Sequence, residues 1–235
     1  MDGNGRWAEQ RGLERSRGHQ QGAKVVKTLV TEAARLRLEF GRPDYLTLYS
    51  FSLENWKRPM TEVSFLMEMY IDYLRAERPT MMENNIRYRQ IGRLDHLPDP
   101  VLDEMNRTLE ETKHNDGLNL VLALNYGSRG EITDAVKAIA EEVAEGALKP
   151  SSINEATISQ HLYTAGMPDP DLLIRTAGEM RVSNYLLWQI SYAELVVSPV
   201  LWPDFGICDL HAAIAEFSRR NRRFGALGAG IGKGP

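Results

Sequence analysis

The chain has 235 residues, of which 43% are hydrophobic and 26% are charged, and its formal net charge is −4. This composition predicts a soluble globular protein with a core of its own, and the negative balance excludes a global basic field for nucleic acid. The single cysteine, Cys208, excludes an intrachain disulfide and indicates a reducing compartment. With no secretory signal and no apolar run of about 20 residues, the sequence predicts a cytoplasmic protein that holds anionic ligands with local arginine clusters.

Helical and strand patterns alternate along the chain. Apolar residues at helical spacing predict a helix over 20–40, and a β-rich run predicts a buried strand over 44–52. Thr61 is a suitable N-cap for a helix over 62–78. The later predicted elements are a strand at 85–92, a helix at 99–115, a strand at 118–126, a helix at 131–146 closed by Gly146, a helix at 154–165, a strand at 170–178, a helix-to-strand region at 185–199, a helix at 208–224 and a Gly-rich, disordered tail at 226–235.

This alternation predicts an α/β fold, in which a single domain has a mostly parallel β-sheet flanked by helices. In such sheets, ligands bind beyond the carboxyl ends of the strands. Polar clusters follow three of the predicted strands, with the sequences SFSLENWKRP, NYGSRGE and RTAGEMRVSN. We therefore expect the active site at this edge of the sheet.

The chain begins with a Gly-rich turn, DGNGRW. Gly3 and Gly5 let the backbone approach a ligand closely, and successive N–H groups before a helix form a phosphate cradle. Arg6 offers a planar fork to phosphate oxygens, and Asp2 is a suitable ligand for a divalent cation that bridges phosphates. Alone, the pattern is more typical of a surface turn, and the Rossmann fingerprint is absent.

Basic residues follow this turn and recur near the end of a later strand. Three arginines before His19 are alone typical of a solvated face, but next to a phosphate cradle they favour diphosphate binding. Arg175, Arg181 and Ser183 suit a second diphosphate. Glu194 is a lone acid in an apolar stretch, so we expect it to pair with an arginine or to bind a metal.

The turn after strand 44–52 combines polar and aromatic groups. Ser52 and Asn55 accept or relay a proton only weakly unless a diphosphate oxygen helps them, and Trp56 offers a flat apolar wall. Two arginine-rich clusters, two acids suited to Mg²⁺ and no Walker loop together predict a substrate with diphosphate groups and apolar tails. The helix at 62–78 is a candidate wall for a hydrophobic tunnel, although a core face is the commoner role of such a pattern.

Seven motifs resemble those of the cis-prenyltransferase family, which includes the undecaprenyl diphosphate synthases of bacteria. In the family's order, from Met1 to about Gly225, they are MDGNGRWA, RGHQQGAK, LTLYSFSLENWKRP, LNYGSRGEI, LIRTAGEMRVSNYLLWQ, YAEL and LWPDF. The resemblance implies a cis-prenyltransferase domain over 1–225 that contains a hydrophobic tunnel and forms a homodimer.

The resemblance also implies an activity. We expect a Mg²⁺-dependent condensation of isopentenyl diphosphate units onto an allylic diphosphate, with farnesyl diphosphate as the primer and new double bonds in cis. The expected product is a polyprenyl diphosphate of about undecaprenyl length, a lipid carrier precursor for peptidoglycan synthesis. A peripheral contact with the membrane would serve product release.

Matching positions take their roles from the resemblance. Asp2 would bind Mg²⁺ and help the allylic diphosphate to leave, and Glu194 would be a second Mg²⁺ ligand that reaches the partner subunit's site. Asn55, helped by Ser52, would remove a proton from the isopentenyl unit. The allylic diphosphate would be held by Gly3, Asn4, Gly5, Arg6, Arg15 and His19, with Trp7 beside them. The other substrate contacts would come from Leu53, Glu54, Trp56, Arg58, Arg175, Arg181, Val182 and Ser183.

The family carries a short apolar strand that ends in the motif beginning here at Met1. We therefore expect such a strand upstream of Met1. Without it, we expect the sheet to lack one strand and Asp2 to be poorly anchored.

Other interpretations fit parts of the sequence. A non-catalytic scaffold subunit of the same fold would lack Asp2 and the arginine set, which are present. A phosphatase with Asp2 as its nucleophile would need a second acid or a metal-binding partner nearby, and the turn supplies none. A lipid-binding module has no need of two diphosphate clusters. A truncated, inactive form of the transferase is the remaining alternative.

Overall fold

The computed structural model describes residues 1–220. The predicted tail at 226–235 and the last five residues of the predicted domain over 1–225 lie outside the described residues. Short 3-10 helices cover Leu53–Lys57, Pro150–Ser152 and Trp202–Asp204. The α-helices are α1 Asn4–Glu9, α2 Arg15–Phe40, α3 Met60–Glu83, α4 Asp99–Thr112, α5 Ser128–Ala144, α6 Glu155–His161 and α7 Ile207–Arg219. The strands are β1 Tyr45–Ser52, β2 Arg87–Ile91, β3 Asn119–Tyr126, β4 Leu172–Arg175 and β5 Glu194–Val197.

The strands form two parallel sheets. One has the order β1-β3-β2, and the other pairs β4 with β5. β1 and β3 stay paired from Tyr45 opposite Asn119 to Ser52 opposite Tyr126, with an irregularity near Phe51. The α/β fold with parallel strands and flanking helices is thus confirmed, although the described strands divide between two sheets.

The middle strand, β3, is apolar because it is buried on both faces. Leu120, Leu122 and Leu124 pack in the larger core with residues of α2 and α3. Val121 and Ala123 point the other way, into a smaller cluster with Tyr126 at the end of β3 and Tyr185 after β4. Along residues 1–220, no helix is both long enough and apolar enough to cross a membrane.

Predicted helix starts differ from the structure by two residues or more at α2, α3 and α5, the last of which begins at Ser128 instead of residue 131. α2 begins at Arg15, five residues before the predicted start, because Gly18 is tolerated where the helix packs closely on α1. α3 begins at Met60 with Pro59 at the N-cap, so Thr61 is not the cap. Proline has no N–H to satisfy and its φ of −53° is suited to a helix start, and its carbonyl accepts the N–H group of Glu62.

Residues 185–193 do not form the predicted helix. Ser183, Asn184 and Leu186 have φ values of 50°, 58° and 48°, and left-handed residues cannot continue a right-handed helix. This region folds into consecutive turns that precede the short strand β5. The predicted strand at 170–178 is shorter for a similar reason, because Ala177 and Gly178 also have positive φ values.

Candidate active site

A cavity of about 420 Å³ is lined by α2, α3 and the carboxyl ends of β1 and β4. His19 contacts Glu62 and, further along both helices, Lys27 contacts Glu77, so α2 and α3 run in the same direction. The polar part of the lining, near the start of both helices, comprises Asp2, Gly3, Asn4, Gly5, Arg6, Arg15, His19, Ser52, Asn55, Arg58, Arg175 and Ser183. The apolar part, further along them, includes Val26, Leu66, Met69, Tyr70, Tyr73, Leu122 and Leu124.

The backbone of Asp2 is anchored at the end of β4. Its N–H group donates to Thr176 Oγ1 at 2.9 Å, and the same hydroxyl donates to the Asp2 carbonyl at 2.8 Å. The N–H group of Trp202 donates to that carbonyl as well, at 3.0 Å. The expectation that Asp2 would be poorly anchored is therefore wrong, because three hydrogen bonds from distant parts of the chain hold it.

The Gly-rich turn lies directly against α2. Gly3 has a φ of 110°, which side-chain-bearing residues rarely adopt. A Cβ atom on Gly22 would lie 2.2 Å from Oδ1 of Asn4 and 2.8 Å from Trp202. Glycine in α2 is therefore what allows α1 and its turn to reach the cavity wall.

Two carboxylates lie among the cavity arginines. Nη2 of Arg175 donates to Asp2 Oδ2 at 2.7 Å, and its Nη1 donates to Ser183 Oγ at 3.1 Å. Arg6 lies 3.8 Å from Asp2 Oδ1 and 3.1 Å from Glu179 Oε1. Several guanidinium groups thus converge where the backbone approaches closely, and this arrangement suits a diphosphate.

His19 contributes a largely buried imidazole to the polar part. Burial and the nearby Arg58 guanidinium hold the pKa of His19 below its usual value, and Glu62 partly opposes them. Its Nε2 lies 3.5 Å from Glu62, which also accepts a hydrogen bond from Arg58 at 2.9 Å. Glu62 therefore orients Arg58 and lies beside His19, an arrangement that no sequence motif indicated.

The turn after β1 places Asn55 at the cavity. The N–H group of Ser52 donates to Asn55 Oδ1 at 2.9 Å, which fixes the orientation of the amide. Both residues line the cavity, as does Arg58 at the end of the same turn. The structure therefore brings together the two candidate proton-handling groups that the sequence predicted.

Some expected substrate contacts lie outside the lining of the cavity. The Trp7 indole donates to Asp204 at 2.6 Å and carries the Arg11 guanidinium on its face at 4.3 Å. Arg181 pairs with Glu179 and is largely exposed. The expected residues that do not line the cavity are Trp7, Leu53, Glu54, Trp56, Arg181, Val182 and Glu194.

Several lining residues were not named from the sequence, although the helix at 62–78 was predicted as a candidate wall of an apolar tunnel. Ala23 and Val26 of α2 follow His19 at helical spacing, and Met69 and Tyr73 of α3 follow Leu66 in the same way. Helical periodicity, counted from His19 in α2 and from Leu66 in α3, is the sequence signal that identifies these lining residues. Tyr73 is notable because burial raises the pKa of its hydroxyl, which has no hydrogen-bond partner among residues 1–220.

The donor set of the cavity fits Mg²⁺ only together with a phosphate ligand. Asp2 is the one carboxylate among the described lining residues, and residues 1–220 hold no group of three or more metal-binding side chains. Mg²⁺ is commonly bound by one or two carboxylates together with waters and substrate phosphates. The Glu194 carboxylate accepts a hydrogen bond from Arg220 at 2.9 Å, which is the arginine pairing that the sequence left open.

Comparison with known proteins shows which family the chain belongs to. Residues 1–225 match the family model described as "Putative undecaprenyl diphosphate synthase". The isoprenyl transferase of Halalkalibacterium halodurans is 48% identical over 227 residues, which are 97% of this chain and 87% of that protein.

Solved structures extend the similarity to the fold. Lavandulyl diphosphate synthase from Lavandula x intermedia, solved with dimethylallyl diphosphate, has a TM-score of 0.92 and 38% identity over 96% of this chain and 95% of that one. A "probable undecaprenyl diphosphate synthase" from Campylobacter jejuni has a TM-score of 0.74 and 36% identity over 88% and 92% of the two chains.

The fold and the sequence together define the class of protein as a prenyltransferase that acts on isoprenyl diphosphates. Within that class, the chain belongs to the undecaprenyl diphosphate synthase family of isoprenyl transferases. The family resemblance recognised from the seven motifs is therefore confirmed.

Proposed function

We propose that this protein is a Mg²⁺-dependent cis-prenyltransferase that condenses isopentenyl diphosphate onto an allylic diphosphate, with farnesyl diphosphate as the primer. The observation that carries the proposal is the cavity, in which converging arginines and a close-approach turn lead into an apolar section. A diphosphate with a hydrocarbon tail matches both parts. The lavandulyl diphosphate synthase, solved with an allylic diphosphate, supports an allylic diphosphate as one substrate.

The first step is loss of the allylic diphosphate. As the bond between the allylic C1 and oxygen breaks, its electron pair leaves with the diphosphate. Arg6, Arg15 and the turn that starts at Gly3 line the cavity, and their N–H groups stabilise the growing negative charge because the fold fixes them before the reaction. The apolar walls keep water from the allylic cation.

The second step joins the two substrates. The double bond of the isopentenyl unit attacks the allylic C1 through its C4 atom, and a proton leaves C2 so that a new double bond forms between C2 and C3. Asn55 and Ser52 guide that proton to a diphosphate oxygen, since an amide and a hydroxyl are weak bases alone. Arg175 and Ser183 hold the isopentenyl diphosphate.

Bound Mg²⁺ would neutralise part of the charge on the leaving diphosphate. Asp2 is the side chain that would hold it, because it lines the cavity between Arg6 and Arg175. Glu194, tied to Arg220, would act only on a partner subunit's site.

We also propose, from the family resemblance, a cytoplasmic homodimer that touches the membrane when it releases product. A product of about undecaprenyl length, a lipid carrier precursor for peptidoglycan synthesis, is part of the same proposal.

The test supplies farnesyl diphosphate and radiolabelled isopentenyl diphosphate, with Mg²⁺ or with a chelator, and measures product length by chromatography. We expect long labelled products with Mg²⁺ and none with the chelator. Absence of product with every allylic primer would reject the proposal and favour a non-catalytic scaffold subunit.

A further inference from the structure

Asn55 lies between two residues that are tied to distant parts of the chain. On one side, Asn184 Nδ2 donates to Glu54 Oε1 at 2.9 Å. On the other, Trp56 Nε1 donates to Asn125 Oδ1 at 2.7 Å. The short helix that presents Asn55 to the cavity is thus held from both flanks by asparagine side chains.

Asn125 is rigidly held at the end of β3. It is 1% exposed, and its Nδ2 donates to the carbonyls of Arg93 at 3.1 Å and Asp95 at 2.8 Å. Its φ of 51° is left-handed, a conformation that asparagine adopts more readily than most residues. Its Oδ1 therefore offers Trp56 an acceptor in a fixed position.

Asn184 is anchored on the first turn of α5. Its Oδ1 accepts the N–H group of Arg129 at 2.9 Å, and its carbonyl accepts that of Ser128 at 2.8 Å. It also has a left-handed φ, 58°, and it directly follows Ser183, which bonds to Arg175. One side chain therefore connects the turn that carries Asn55 with the turn that carries Ser183.

We propose that Asn125 and Asn184 are positioning residues that orient the Asn55 amide for proton removal from the isopentenyl unit. The inference rests on the proposed function, in which Asn55 handles that proton. Neither asparagine lines the cavity, so each acts through Glu54 or Trp56. A misplacement of about 1 Å at a reacting group can lower a rate on the order of 10²-fold, so loss of either tie slows proton removal while substrate binding is kept.

The hydrogen bond between Asn184 and Glu54 can be broken and then restored with its donor and acceptor exchanged. Asn184→Asp keeps an oxygen for the Arg129 N–H group but places a carboxylate against Glu54. In the double variant with Glu54→Gln, the new amide donates to the new carboxylate. Glu54→Gln alone keeps an acceptor for Asn184, and this single variant completes the double-mutant cycle.

Asn85 offers a matched control away from the cavity. It has a φ of 55°, donates to Asp116 Oδ1 at 2.7 Å and accepts the Asp116 N–H group at 3.0 Å. Asn85→Asp therefore creates the same clash of carboxylates at the same kind of backbone position. We expect it to leave the rate of condensation unchanged.

The readout is the single-turnover rate with ordinary isopentenyl diphosphate and with the compound deuterated at C2. Asn184→Asp should lower the rate about 10²-fold and increase the deuterium isotope effect, with KM for farnesyl diphosphate unchanged. The double variant should return both quantities to near the wild-type values. Trp56→Phe, which removes only the indole donor to Asn125, should act in the same direction as Asn184→Asp.

A purely structural role would give a different result. Reduced stability with an unchanged isotope effect in Asn184→Asp, or no recovery in the double variant, would overturn the proposal. Hydrogen exchange of the amides of residues 53–57 gives a readout independent of activity. Exchange at residues 53–57 should accelerate in Asn184→Asp and return to the wild-type rate in the double variant. Unchanged exchange would show that the Asn184 hydrogen bond does not hold this helix, whether or not the proposed function is right.

Discussion

Glu104 Oε1 lies 2.7 Å from Nη1 of Arg78, and both side chains are buried between α3 and α4. The other oxygen of Glu104 accepts from Arg75 Nε at 2.7 Å, and the Thr108 hydroxyl donates to the Glu104 carbonyl. This ion pair braces α3, whose opposite face lines the cavity.

Glu104→Ala should lower the free energy of unfolding by about 3–5 kcal/mol, because it leaves the buried Arg78 charge without its main partner. Chemical denaturation measures this change. Glu110→Ala, which removes an exposed pair with Lys113, is the control and should cost about 0–1 kcal/mol. Equal losses of unfolding free energy in the two variants would show that burial of the Arg78–Glu104 pair does not add to stability.

Gly22→Ala should lower kcat/KM for farnesyl diphosphate on the order of 10²-fold, because the new Cβ would push Asn4 and its turn away from the cavity wall. Steady-state kinetics measures the effect. Gly206→Ala is the control, since its φ is −112° and a Cβ atom there would lie 3.8 Å from its nearest neighbour, a carboxylate oxygen of Asp209. Wild-type kinetics in Gly22→Ala would contradict the need for glycine there.

Arg175→Lys should raise KM for isopentenyl diphosphate about tenfold or more, because a lysine cannot hold Asp2, Ser183 and a diphosphate with one planar fork. KM for farnesyl diphosphate should change less. Arg107→Lys on the exposed face of α4 serves as the control. A rise confined to the allylic substrate would reassign Arg175 to the other diphosphate.

Stability should fall in acid through Glu32. Hydrogen bonds from Arg35 lower the pKa of Glu32 from 4.5 to about 2, with a further contribution from His211. Because the pKa is lower in the folded state, this stabilisation is complete above pH 4.5 and is lost as the pH falls toward 2.

Denaturation of wild type and Glu32→Gln across pH measures this contribution. The difference in their free energies of unfolding should be constant at neutral pH and should shrink below pH 4.5. A difference that does not change between neutral pH and about pH 3 would mean that the Glu32 carboxylate titrates normally.

The sequence predicted the strands of the larger sheet well. β1, β2 and β3 lie within the predicted ranges 44–52, 85–92 and 118–126, because their apolar runs are short and clearly bounded. The region at 185–193 was predicted poorly. Its apolar residues suit a helix, and nothing in the identity of Leu186 indicates a left-handed backbone.

The polar part of the site was predicted better than the apolar part. Asp2, Asn55 and Arg175 were identified from motifs because charged and amide groups in short polar turns are chemically distinctive. Tyr73 and Met69 were missed because an apolar side chain that faces a cavity has the same sequence pattern as one that faces the core.

The division of the strands into two sheets has a consequence for catalysis. Asn55 follows β1 in one sheet, whereas Arg175 ends β4 in the other, and Tyr49 stacks on Tyr185 at 4.4 Å across the joint between them. The alignment of the allylic C1 with the isopentenyl C4 therefore depends on the contact between the two sheets. In the described chain, no strand pairing bridges that contact. On heating, we expect this alignment to loosen before either sheet melts, so that turnover declines while the secondary structure is still intact.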